Sequence, residues 1–281
     1  MSSLAPLETL AGDQRPGQPL PLAPELAALY GALSLPPHPG RPYVVGNFVE
    51  TLDGVVTLGE PQHSGSGDIS GKNPQDRLLM GLLRAIADVV IVGAGTLRAT
   101  PRHIWTAETI APQFAAAYAK TRAALGTQQP PLTVLVTAGG DLDLRLPMFQ
   151  AGTTDVVIAA TERVAAGLRA RRLPAHVQAL GLPGEHTISV RSLLEAIQRL
   201  RPSDIILTEG GPHLLGDFLA ERCLDELFLT LAPQVAGRDD LARRPGFAGG
   251  HTFAPEHPLW CTLVDVRRSG SHLFLRYAFA A

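Results

Sequence analysis

Short apolar runs alternate with amphipathic stretches along most of this chain. The apolar runs are rich in valine, isoleucine and leucine, which is typical of strands in a sheet that is buried on both faces. They predict strands over 43–50, 89–92, 133–136, 155–159, 177–180, 205–208, 226–231, 259–267 and 272–278. The amphipathic stretches repeat apolar residues at helical spacing and predict helices over 73–87, 108–125, 162–171, 190–200 and 212–221. This alternation predicts an α/β fold with a mainly parallel central sheet and helices on both faces.

Local signals at two places refine this prediction. Asn73 and Pro74 open one predicted helix, since asparagine caps a first turn and proline fits there without loss of a hydrogen bond. Ser269-Gly270-Ser271 separates the last two predicted strands and is short enough for a hairpin turn. We therefore expect the sheet to end in an antiparallel C-terminal strand pair.

Residues 1–40 have a different pattern. Prolines recur through them, at positions 6, 16, 19, 21, 24, 36, 37 and 39, and interrupt the periodicity of both helices and strands. A short helix is predicted over 25–35, and the rest is predicted to be extended. Neither a linker nor an internal repeat follows residue 41. We therefore divide the chain into a proline-rich N-terminal arm, 1–40, and one domain, 41–281.

Composition argues against several classes of binding partner for this protein. The formal net charge is −2, and no basic patch is concentrated enough to indicate nucleic acid. Cys223 and Cys261 are far apart in the sequence, which argues against a structural zinc site or a disulfide framework and fits a reducing cytoplasm. Apolar runs of membrane-spanning length and an export signal are not visible. We expect a cytoplasmic protein with a small-molecule ligand, no bound metal, and neither nucleic acid nor membrane as a partner.

The most informative motif is the turn Glu209-Gly210-Gly211-Pro212, which follows the predicted strand 205–208 and opens the predicted helix 212–221. Proline fits a first helical turn, and the glycines leave backbone N–H groups free to approach a phosphate. A carboxylate at the strand tip beside an anion site favours chemistry on a phosphorylated ligand. The alternative is an ordinary strand-to-helix connection in which the glycines serve only the turn geometry.

A second glycine-rich turn, Gly93-Ala94-Gly95-Thr96, follows the predicted strand 89–92. Its free N–H groups and the Thr96 hydroxyl suit a pyrophosphate, although the third glycine and the acidic residue of a full dinucleotide-binding motif are missing. Ligands of open α/β sheets bind outside the carboxyl ends of the strands. Two such turns in one parallel sheet therefore predict a shared ligand site, in which one turn holds a dinucleotide phosphate and the other flanks it.

Two further stretches are candidates for the same site. Thr51-Leu52-Asp53-Gly54 ends the first predicted strand, although Asp-Gly is also a common turn signal and the structural interpretation is favoured for Asp53. The segment 64–71, rich in serine and glycine, precedes a helix and either lines a pocket or is plain surface. The nucleophile elbow, the zinc-protease motif and the phosphate-binding loop that ends in lysine do not occur in the sequence.

In order and spacing, these stretches resemble the reductase domain of the bacterial riboflavin-biosynthesis deaminase/reductase, a member of the dihydrofolate-reductase-like superfamily. The resemblance covers residue 41 to about 280 and is carried by Arg41-Pro42-Tyr43, Thr51-Leu52-Asp53-Gly54, Ile69-Ser70-Gly71, Leu82-Leu83-Arg84, Val92-Gly93-Ala94-Gly95-Thr96 and Glu209-Gly210-Gly211-Pro212. It implies a three-layer α/β/α fold. The zinc-binding signatures of the family's deaminase domain do not occur in this sequence, so we expect a stand-alone reductase or one whose deaminase is a separate polypeptide.

The resemblance implies hydride transfer from NADPH to a ribosylaminopyrimidine phosphate of the 5-amino-6-(5-phosphoribosylamino)uracil type, which reduces the ribose to a ribityl group. The cofactor contacts that it implies are Gly93, Ala94, Gly95, Thr96, Gly210, Gly211, Pro212, His213, Leu214 and Leu215. The substrate contacts that it implies are Asn47, Thr51, Ser66, Arg84 and Glu209. The Arg84 guanidinium matches the geometry of a substrate phosphate. Without the resemblance, Arg84 is interpreted as a helix-end arginine on a solvated face.

Catalytic roles are assigned to two carboxylates. Glu209 accepts hydrogen bonds from the pyrimidine or the ribose and holds a water that donates the proton, and Asp53 is the second candidate donor. Thr161 and Arg163 are assigned to the 2′-phosphate that distinguishes NADPH from NADH, because they follow the strand that ends near 160. The apolar strands 226–231 and 259–267, together with the resemblance, predict a homodimer.

Two departures from the family pattern keep other functions open. Asn47 stands near the position at which the family usually has a lysine. Arg98-Ala99-Thr100-Pro101-Arg102 stands where the family usually has Arg-Ala-Asp-Asp-Pro. Both changes fall on residues for phosphate and substrate recognition. The alternatives are therefore a dihydrofolate or other pteridine reductase and a non-catalytic NADPH-binding protein.

Overall fold

The structure is a computed structural model that describes residues 4–15, 17–60, 63, 65–239 and 244–279. Its strands are β1 (Glu8–Ala11), β2 (Gln18–Pro19), β3 (Ser34–Leu35), β4 (Tyr43–Thr51), β5 (Val89–Gly93), β6 (Leu132–Val136), β7 (Val156–Thr161), β8 (Val177–Leu182), β9 (Ile205–Thr208), β10 (Glu226–Ala232), β11 (Cys261–Ser269) and β12 (His272–Phe279). Its helices are α1 (Pro24–Tyr30), α2 (Ser66–Ser70), α3 (Pro74–Ile86), α4 (Ala94–Ala99), α5 (Ala107–Ile110), α6 (Ala115–Ala124), α7 (Pro147–Gln150), α8 (Glu162–Arg169), α9 (Val190–Leu200) and α10 (Pro212–Ala220), with a short 3-10 helix at Pro112–Phe114. Among these described residues, no helix combines the length and the apolar character needed to cross a bilayer.

Within the described residues, ten strands form one sheet in the order β1-β11-β12-β10-β4-β9-β5-β6-β7-β8. Neighbouring strands from β10 to β8 are parallel, and the pairs β10–β12, β12–β11 and β11–β1 are antiparallel. The predicted α/β class, with a mainly parallel sheet and an antiparallel C-terminal strand pair, is therefore confirmed. β1, which the sequence pattern does not predict, extends the antiparallel edge by one more strand.

Alternating side chains of the parallel strands build a core on each face of the sheet. In β5, Val90 and Val92 pack into the core that contains α3 and α6, whereas Val89 and Ile91 pack into the core that contains α9 and α10. Because the side chains of a strand point alternately to opposite faces, a strand covered on both faces is apolar at every position. The result is a three-layer α/β/α arrangement, as expected.

The start of α3 follows the predicted capping pattern. The Asn73 side chain accepts hydrogen bonds from the backbone N–H groups of Gln75 and Asp76, at 2.9 and 3.0 Å. Pro74 occupies the first turn, where its missing N–H leaves no helical bond unmade. The cap fixes where α3 begins and therefore which of its residues face the sheet.

The helix predicted over 108–125 is divided into α5, the 3-10 helix and α6. Pro112 causes the break, because a residue before proline avoids the helical region of backbone conformation. Ala111 accordingly has φ −140° and ψ 72°. Two short helices, α2 and α4, also form within stretches that the sequence pattern assigns to a glycine-rich loop and a turn.

The proline-rich segment 1–40 lies on the sheet in its described part. β1 pairs with β11, and α1 packs Leu26 and Tyr30 into the core. The helix predicted over 25–35 ends at Tyr30, because Gly31 has φ 92° and redirects the chain toward β3. The segment therefore differs from the expected extended arm. The domain boundary between residues 40 and 41 stays a prediction.

A buried ion cluster ties this segment to the sheet. The Glu226 carboxylate, at the start of β10, accepts hydrogen bonds from Arg15 and Arg276, at 2.8 and 2.5 Å, and from the Tyr43 hydroxyl at 3.0 Å. Asp13 pairs with Arg15 at 2.9 Å. Breaking a buried pair of this kind leaves a charge without compensation. The cluster therefore joins the N-terminal segment to β4, β10 and β12 at the amino ends of the parallel strands.

Candidate functional site

A cavity of about 920 Å³ opens at the carboxyl ends of the parallel strands. The adjacent strands β4, β5 and β6 supply part of its wall through Asn47, Gly93 and Val136, and Glu209, directly after β9, adds to it. Open α/β sheets bind ligands at this edge. The volume is at the upper end of the range for small-molecule sites, so the cavity has room for a cofactor and a substrate together.

The two glycine-rich turns lie against each other at this cavity. β5 and β9 are hydrogen-bonded neighbours, so the turns that follow them are adjacent. A side-chain carbon on Gly211 would lie 3.4 Å from the Thr96 hydroxyl oxygen, and one on Gly93 would lie 3.6 Å from the Gly211 nitrogen. One on Gly210 would lie 2.5 Å from Leu214 and overlap it. The structure therefore brings the two turns into contact, and Gly210 packs directly against Leu214 of the helix that follows it.

Most of the predicted cofactor residues line this cavity. Those that do so are Gly93, Ala94, Gly95, Thr96, Gly210, Gly211, Pro212, His213 and Leu214. The last three form the first turn of α10, where free N–H groups and the helix dipole favour an anion such as a pyrophosphate. Leu215 belongs to the same predicted set, but its side chain is fully buried in the core.

A buried ion pair joins α3 to the turn after β9. The Nε and Nη2 atoms of Arg84 donate to the Glu209 carboxylate at 3.0 and 2.6 Å, a two-point contact that fixes the orientation of both groups. Arg84 also donates to the Thr106 carbonyl at 3.2 Å. The Arg84 side chain is 1% exposed and that of Glu209 is 7% exposed. Arg84 is therefore not on a solvated face, and the predicted contact with a substrate phosphate would require this ion pair to open.

Asp53 and Thr51 lie outside the cavity wall. The Asp53 carboxylate accepts hydrogen bonds from the Thr51 hydroxyl at 2.6 Å and from the backbone N–H groups of Ala236 and Gly237 at 3.0 and 2.8 Å. These bonds, that of Thr51 first, lower the pKa of Asp53 to about 2. The carboxyl group is therefore ionised near neutral pH and holds no proton to donate. In the structure, the Asp53 carboxylate connects the turn after β4 to the loop after β10 through these hydrogen bonds.

Thr161 and Arg163 are also not among the residues that line the cavity. Thr161 ends β7 and is buried, and Arg163 is exposed on α8. The cavity reaches only to β6, where Thr137, Ala138 and Gly139 line it. Because β7 is the next strand beyond β6, a position directly after β7 lies past the end of the cavity.

The structure brings the other predicted substrate residues together. Asn47 on β4 and Ser66 at the start of α2 line the same cavity as Arg84 and Glu209. Ser64, which opens the serine- and glycine-rich segment, lies outside the described residues.

Asp76 is a carboxyl group of the cavity wall that the sequence reasoning misses. It precedes Met80 by one helical turn and Arg84 by two, and α3 presents all three to the cavity. Burial raises the pKa of Asp76, against the opposing effect of the Thr230 and Ser70 hydroxyls beside it. The signal was present in the sequence, because residues four and eight positions apart share one face of a helix.

The segment after α4 closes another side of the cavity with Arg98, His103 and Trp105. The rings of His103 and Trp105 meet edge to face, with their centroids 4.9 Å apart. Burial, helped by the charges of Arg84 and Arg77, lowers the pKa of His103 to about 3, so the imidazole is neutral at physiological pH. Its Nε2 atom is buried and has no hydrogen-bond partner in the described part of the chain, which leaves that atom available to a ligand.

Comparison with known proteins gives a family and a set of related folds. A family model described as the RibD C-terminal domain matches residues 42–274. A search of curated proteins gives no match. A pyrimidine reductase-like protein from Corynebacterium diphtheriae has a TM-score of 0.65 at 19% identity, and the alignment covers 91% of this chain and 98% of that one.

Two further structures carry functional names. For a diaminohydroxyphosphoribosylaminopyrimidine deaminase/5-amino-6-(5-phosphoribosylamino)uracil reductase from Thermotoga maritima, the TM-score is 0.62 at 22% identity, covering 85% of this chain and 57% of that one. For the riboflavin biosynthesis reductase Rib7 from Saccharomyces cerevisiae, the TM-score is 0.59 at 13% identity, and the alignment covers 88% of this chain and 93% of that one. At these identities the likeness shows a shared fold, and this chain spans little more than half the length of the Thermotoga protein. Because the family model covers most of its length, the chain belongs to the RibD C-terminal domain family.

Proposed function

We propose that this protein is an NADPH-dependent reductase of a 5-amino-6-(5-phosphoribosylamino)uracil-type substrate in riboflavin biosynthesis, and that it reduces the ribose to a ribityl group. Membership of the family supports an oxidoreductase of this pathway. The observation that carries the proposal is the contact between the turns 93–96 and 210–211 in a cavity that also contains the Arg84–Glu209 ion pair. Side-chain-free backbone beside a fixed carboxylate suits a dinucleotide next to a polar substrate.

The cavity wall fits a nicotinamide dinucleotide. Gly93, Gly95 and Gly211 keep side chains out of this part of the wall, and a side-chain carbon on Gly95 would meet nothing within 4 Å. α10 begins beside them with its free N–H groups. These groups would hold the pyrophosphate, and the Thr96 hydroxyl beside Gly211 would add a further donor. When bound, the reduced dinucleotide supplies the hydride.

Glu209 and Asp76 have separate roles in the proposed reaction. Arg84 fixes the orientation of Glu209, which then accepts hydrogen bonds from the ribose or the pyrimidine. Asp76 keeps its proton to a higher pH than an ordinary aspartate and donates it to the imine nitrogen of the ring-opened ribosylamine. The imine carbon takes the hydride and the nitrogen takes the proton, which yields the amine of the ribityl product.

The test is an assay of NADPH oxidation by the full chain. The chain is supplied with 5-amino-6-(5-phosphoribosylamino)uracil or, in parallel, with dihydrofolate. We expect consumption of NADPH with the pyrimidine. Consumption with dihydrofolate alone would establish the pteridine alternative, and tight NADPH binding without turnover would establish a non-catalytic role. If the chain binds no reduced dinucleotide, the proposal that it is an NADPH-dependent reductase is wrong.

One observation favours the pteridine alternative. Asn47 presents a neutral amide to the cavity, and the Arg84 guanidinium is held by Glu209. Neither group therefore offers a free charge to a substrate phosphate, and a reduced pteridine ring carries none.

We also propose that the protein is a homodimer. The strand 226–231, predicted to contribute to the interface, is β10 and lies inside the sheet between β12 and β4. β11 is more exposed, because β1 pairs only with its residues 266–268. Trp260, directly before β11, is 84% exposed, and Leu263, in the part of β11 that β1 does not cover, is 48% exposed. An open strand edge with large apolar side chains favours pairing with a second copy of the chain.

A further inference from the structure

His103 lines the cavity, and the proposed reaction gives it no role. It lies between α4 and α5, where its backbone N–H donates to the Thr100 carbonyl at 3.0 Å and holds the residue beside the cavity. The Nε2 atom of its ring is buried and has no hydrogen-bond partner in the described part of the chain. Buried polar atoms of folded proteins nearly always have a partner. Because His103 borders the cavity, the contents of the cavity are where that partner is expected.

The His103 ring is held in its neutral form. Burial, helped by the charges of Arg84 and Arg77, lowers its pKa to about 3. A neutral imidazole has one nitrogen that donates a hydrogen bond and one that accepts it. It therefore suits an uncharged polar group of a ligand. A phosphate group is matched better by a cation, so the phosphates of the cofactor and the substrate are poor partners for this ring.

Two apolar side chains accompany His103 on the cavity wall. The Trp105 ring meets the His103 ring edge to face, with their centroids 4.9 Å apart, and Met80 of α3 lines the same cavity. Both side chains are buried. An aromatic ring and a thioether pack well against a planar ring, whereas the hydroxyl groups of a ribose require polar partners. This part of the wall therefore fits a planar heterocycle better than a sugar.

The segment that carries His103 also adjoins the buried ion pair. The Arg84 guanidinium donates to the carbonyl of Thr106, directly after Trp105, and to the Glu209 carboxylate. The wall segment 103–106 and Glu209 are therefore neighbours across one guanidinium. A heterocycle bound beside Trp105 is placed close to the carboxylate that is proposed to accept hydrogen bonds from the substrate.

We propose that His103 hydrogen-bonds the cyclic amide of the substrate heterocycle and thereby determines which ring the cavity takes. The inference rests on the proposed function and adds to it a position for the substrate ring. A cyclic amide presents an N–H group beside a carbonyl, so it provides a partner for either neutral form of the imidazole. Two ring systems share this chemistry, namely the uracil of the pyrimidine substrate and the pterin of the pteridine alternative.

The experiment compares the wild-type chain with three variants. His103→Phe keeps an aromatic ring against Trp105 and removes both ring nitrogens. His103→Gln restores a donor and an acceptor on a side chain of similar reach. His176→Phe is the matched control, because the Nε2 atom of His176 is also buried without a partner among the described residues, but His176 does not line the cavity.

The probes are 5,6-diaminouracil and pterin, which carry the two ring systems without sugar or phosphate. Calorimetry gives the Kd of each, and the ring that the wild-type chain binds more tightly identifies the source of the amide. We expect the Kd of that ring to rise by about 10-fold to 100-fold in His103→Phe, because a buried polar group of the ring loses its partner. His103→Gln should recover part of this affinity, and His176→Phe should keep the wild-type Kd.

Kinetics separate a role in substrate positioning from a role in proton transfer. In the assay of NADPH oxidation, His103→Phe should raise KM for the substrate and leave kcat and the Kd of NADPH close to their wild-type values. The pH profile of kcat/KM should keep its shape between about pH 5 and pH 8, because the neutral His103 ring does not titrate there. Loss of a limb of this profile in His103→Phe would contradict a neutral hydrogen-bonding role.

Three other results would overturn the inference. His103→Phe binds the ring as tightly as the wild-type chain does, His176→Phe loses as much affinity as His103→Phe, or the wild-type chain binds neither ring. Thermal unfolding checks that the variants are folded. If His103→Phe is not folded, His103→Leu replaces it, since leucine also has no hydrogen-bonding atom in its side chain.

Failure of the proposed function has a different result, because the ring probes report binding without hydride transfer. If the wild-type chain oxidises NADPH with neither substrate but binds a ring that His103→Phe releases, the ring site is supported and the assigned reaction is wrong. If the wild-type chain reduces the pyrimidine and His103→Phe matches it in Kd and KM, the reaction is supported and the role of His103 is wrong.

Discussion

At the scale of single residues, the cavity wall depends on the Arg84–Glu209 contact. Both side chains are almost fully buried and meet through two hydrogen bonds, at 3.0 and 2.6 Å. Arg84→Met keeps the apolar stem but leaves the Glu209 carboxylate buried without its partner. We expect the free energy of unfolding, measured by urea denaturation, to fall by about 3 kcal/mol. Arg102→Met, at an exposed arginine outside the wall, is the matched control, and equal stability of the two variants would contradict this prediction.

Asp76 contributes to stability with a pH dependence opposite to that of a carboxylate in an ion pair. Burial raises its pKa in the folded chain above the unfolded value of 3.8. Its contribution is therefore fully present below that value and is lost as the pH rises through the higher folded pKa. Asp76→Asn removes the group that has to ionise while buried. Thermal unfolding should show the variant gaining stability relative to wild type as the pH rises from acid to alkaline.

The same variant tests the proposed proton transfer. Asp76→Asn has no carboxyl proton, so kcat should fall by about 100-fold. The Kd of NADPH should stay at the wild-type value, because Asp76 on α3 is not one of the residues proposed to hold the dinucleotide. A variant with unchanged kcat would exclude Asp76 as the donor, whatever its effect on stability.

Some of these residues can be assigned from sequence and others cannot. Glu209 and Asn47 lie on or directly after strands that the apolar pattern predicts, so their place at the carboxyl edge follows from the fold. Thr161 also follows a predicted strand, but the order of strands in the sheet depends on contacts between distant parts of the chain. Asp53 follows a strand as well, yet its carboxylate accepts hydrogen bonds from the backbone of Ala236 and Gly237, in a loop that no local pattern connects to it.

At the scale of elements, the site is formed by two strand-to-helix turns, 93–96 and 210–211, whose backbones lie close to each other. A side-chain carbon on Gly211 would already lie 3.4 Å from the Thr96 hydroxyl oxygen. Gly211→Val places two further methyl groups in that gap, so the turns separate and the backbone N–H groups move off the proposed pyrophosphate position. We expect the Kd of NADPH, measured by calorimetry, to rise by about 10-fold or more, the equivalent of one or two lost hydrogen bonds.

Gly167→Ala is the matched control for that variant. Gly167 lies on α8 with open space at the added carbon and takes no part in the cavity wall. Alanine favours a helix interior over glycine, so this variant should keep wild-type NADPH affinity and gain slightly in stability. If Gly211→Val binds NADPH as well as Gly167→Ala does, the two turns do not hold the dinucleotide.

Helices and strands with a clear apolar period of their own agree with the sequence prediction. Strands that form only because another strand lies beside them are not predicted. β9 and α9 have the predicted bounds, because each combines a clear period with clear ends. β1 and β3 are short and polar or proline-flanked, and they are strands only because β11 and β2 lie beside them. The distribution of apolar residues along 1–40 therefore does not predict that this segment adds a strand to the sheet.

At the scale of the whole molecule, stability and chemistry are placed at opposite ends of the parallel strands. The ion cluster around Glu226 joins the N-terminal segment to the amino ends of β4 and β10. The cavity lies at the carboxyl ends, where Asn47 and Glu209 face it. Because the two are separated by the length of a strand, the described part of the N-terminal segment supports the sheet without entering the cavity wall.

The exposed edge of β11 is where a second copy of the chain would add to this sheet. Trp260 precedes β11 and Leu263 lies within it, beyond the part that β1 covers. Trp260→Glu places a charge in this apolar strip and should convert a dimer to a monomer, as measured by light scattering after size exclusion. Val235→Glu is the control. Val235 is also exposed, at 71%, but it follows the carboxyl end of β10 and is not part of the β11 edge. If both variants keep the dimer, the interface lies elsewhere, and a wild-type chain with the mass of one copy would show that the open edge of β11 is tolerated in a monomer.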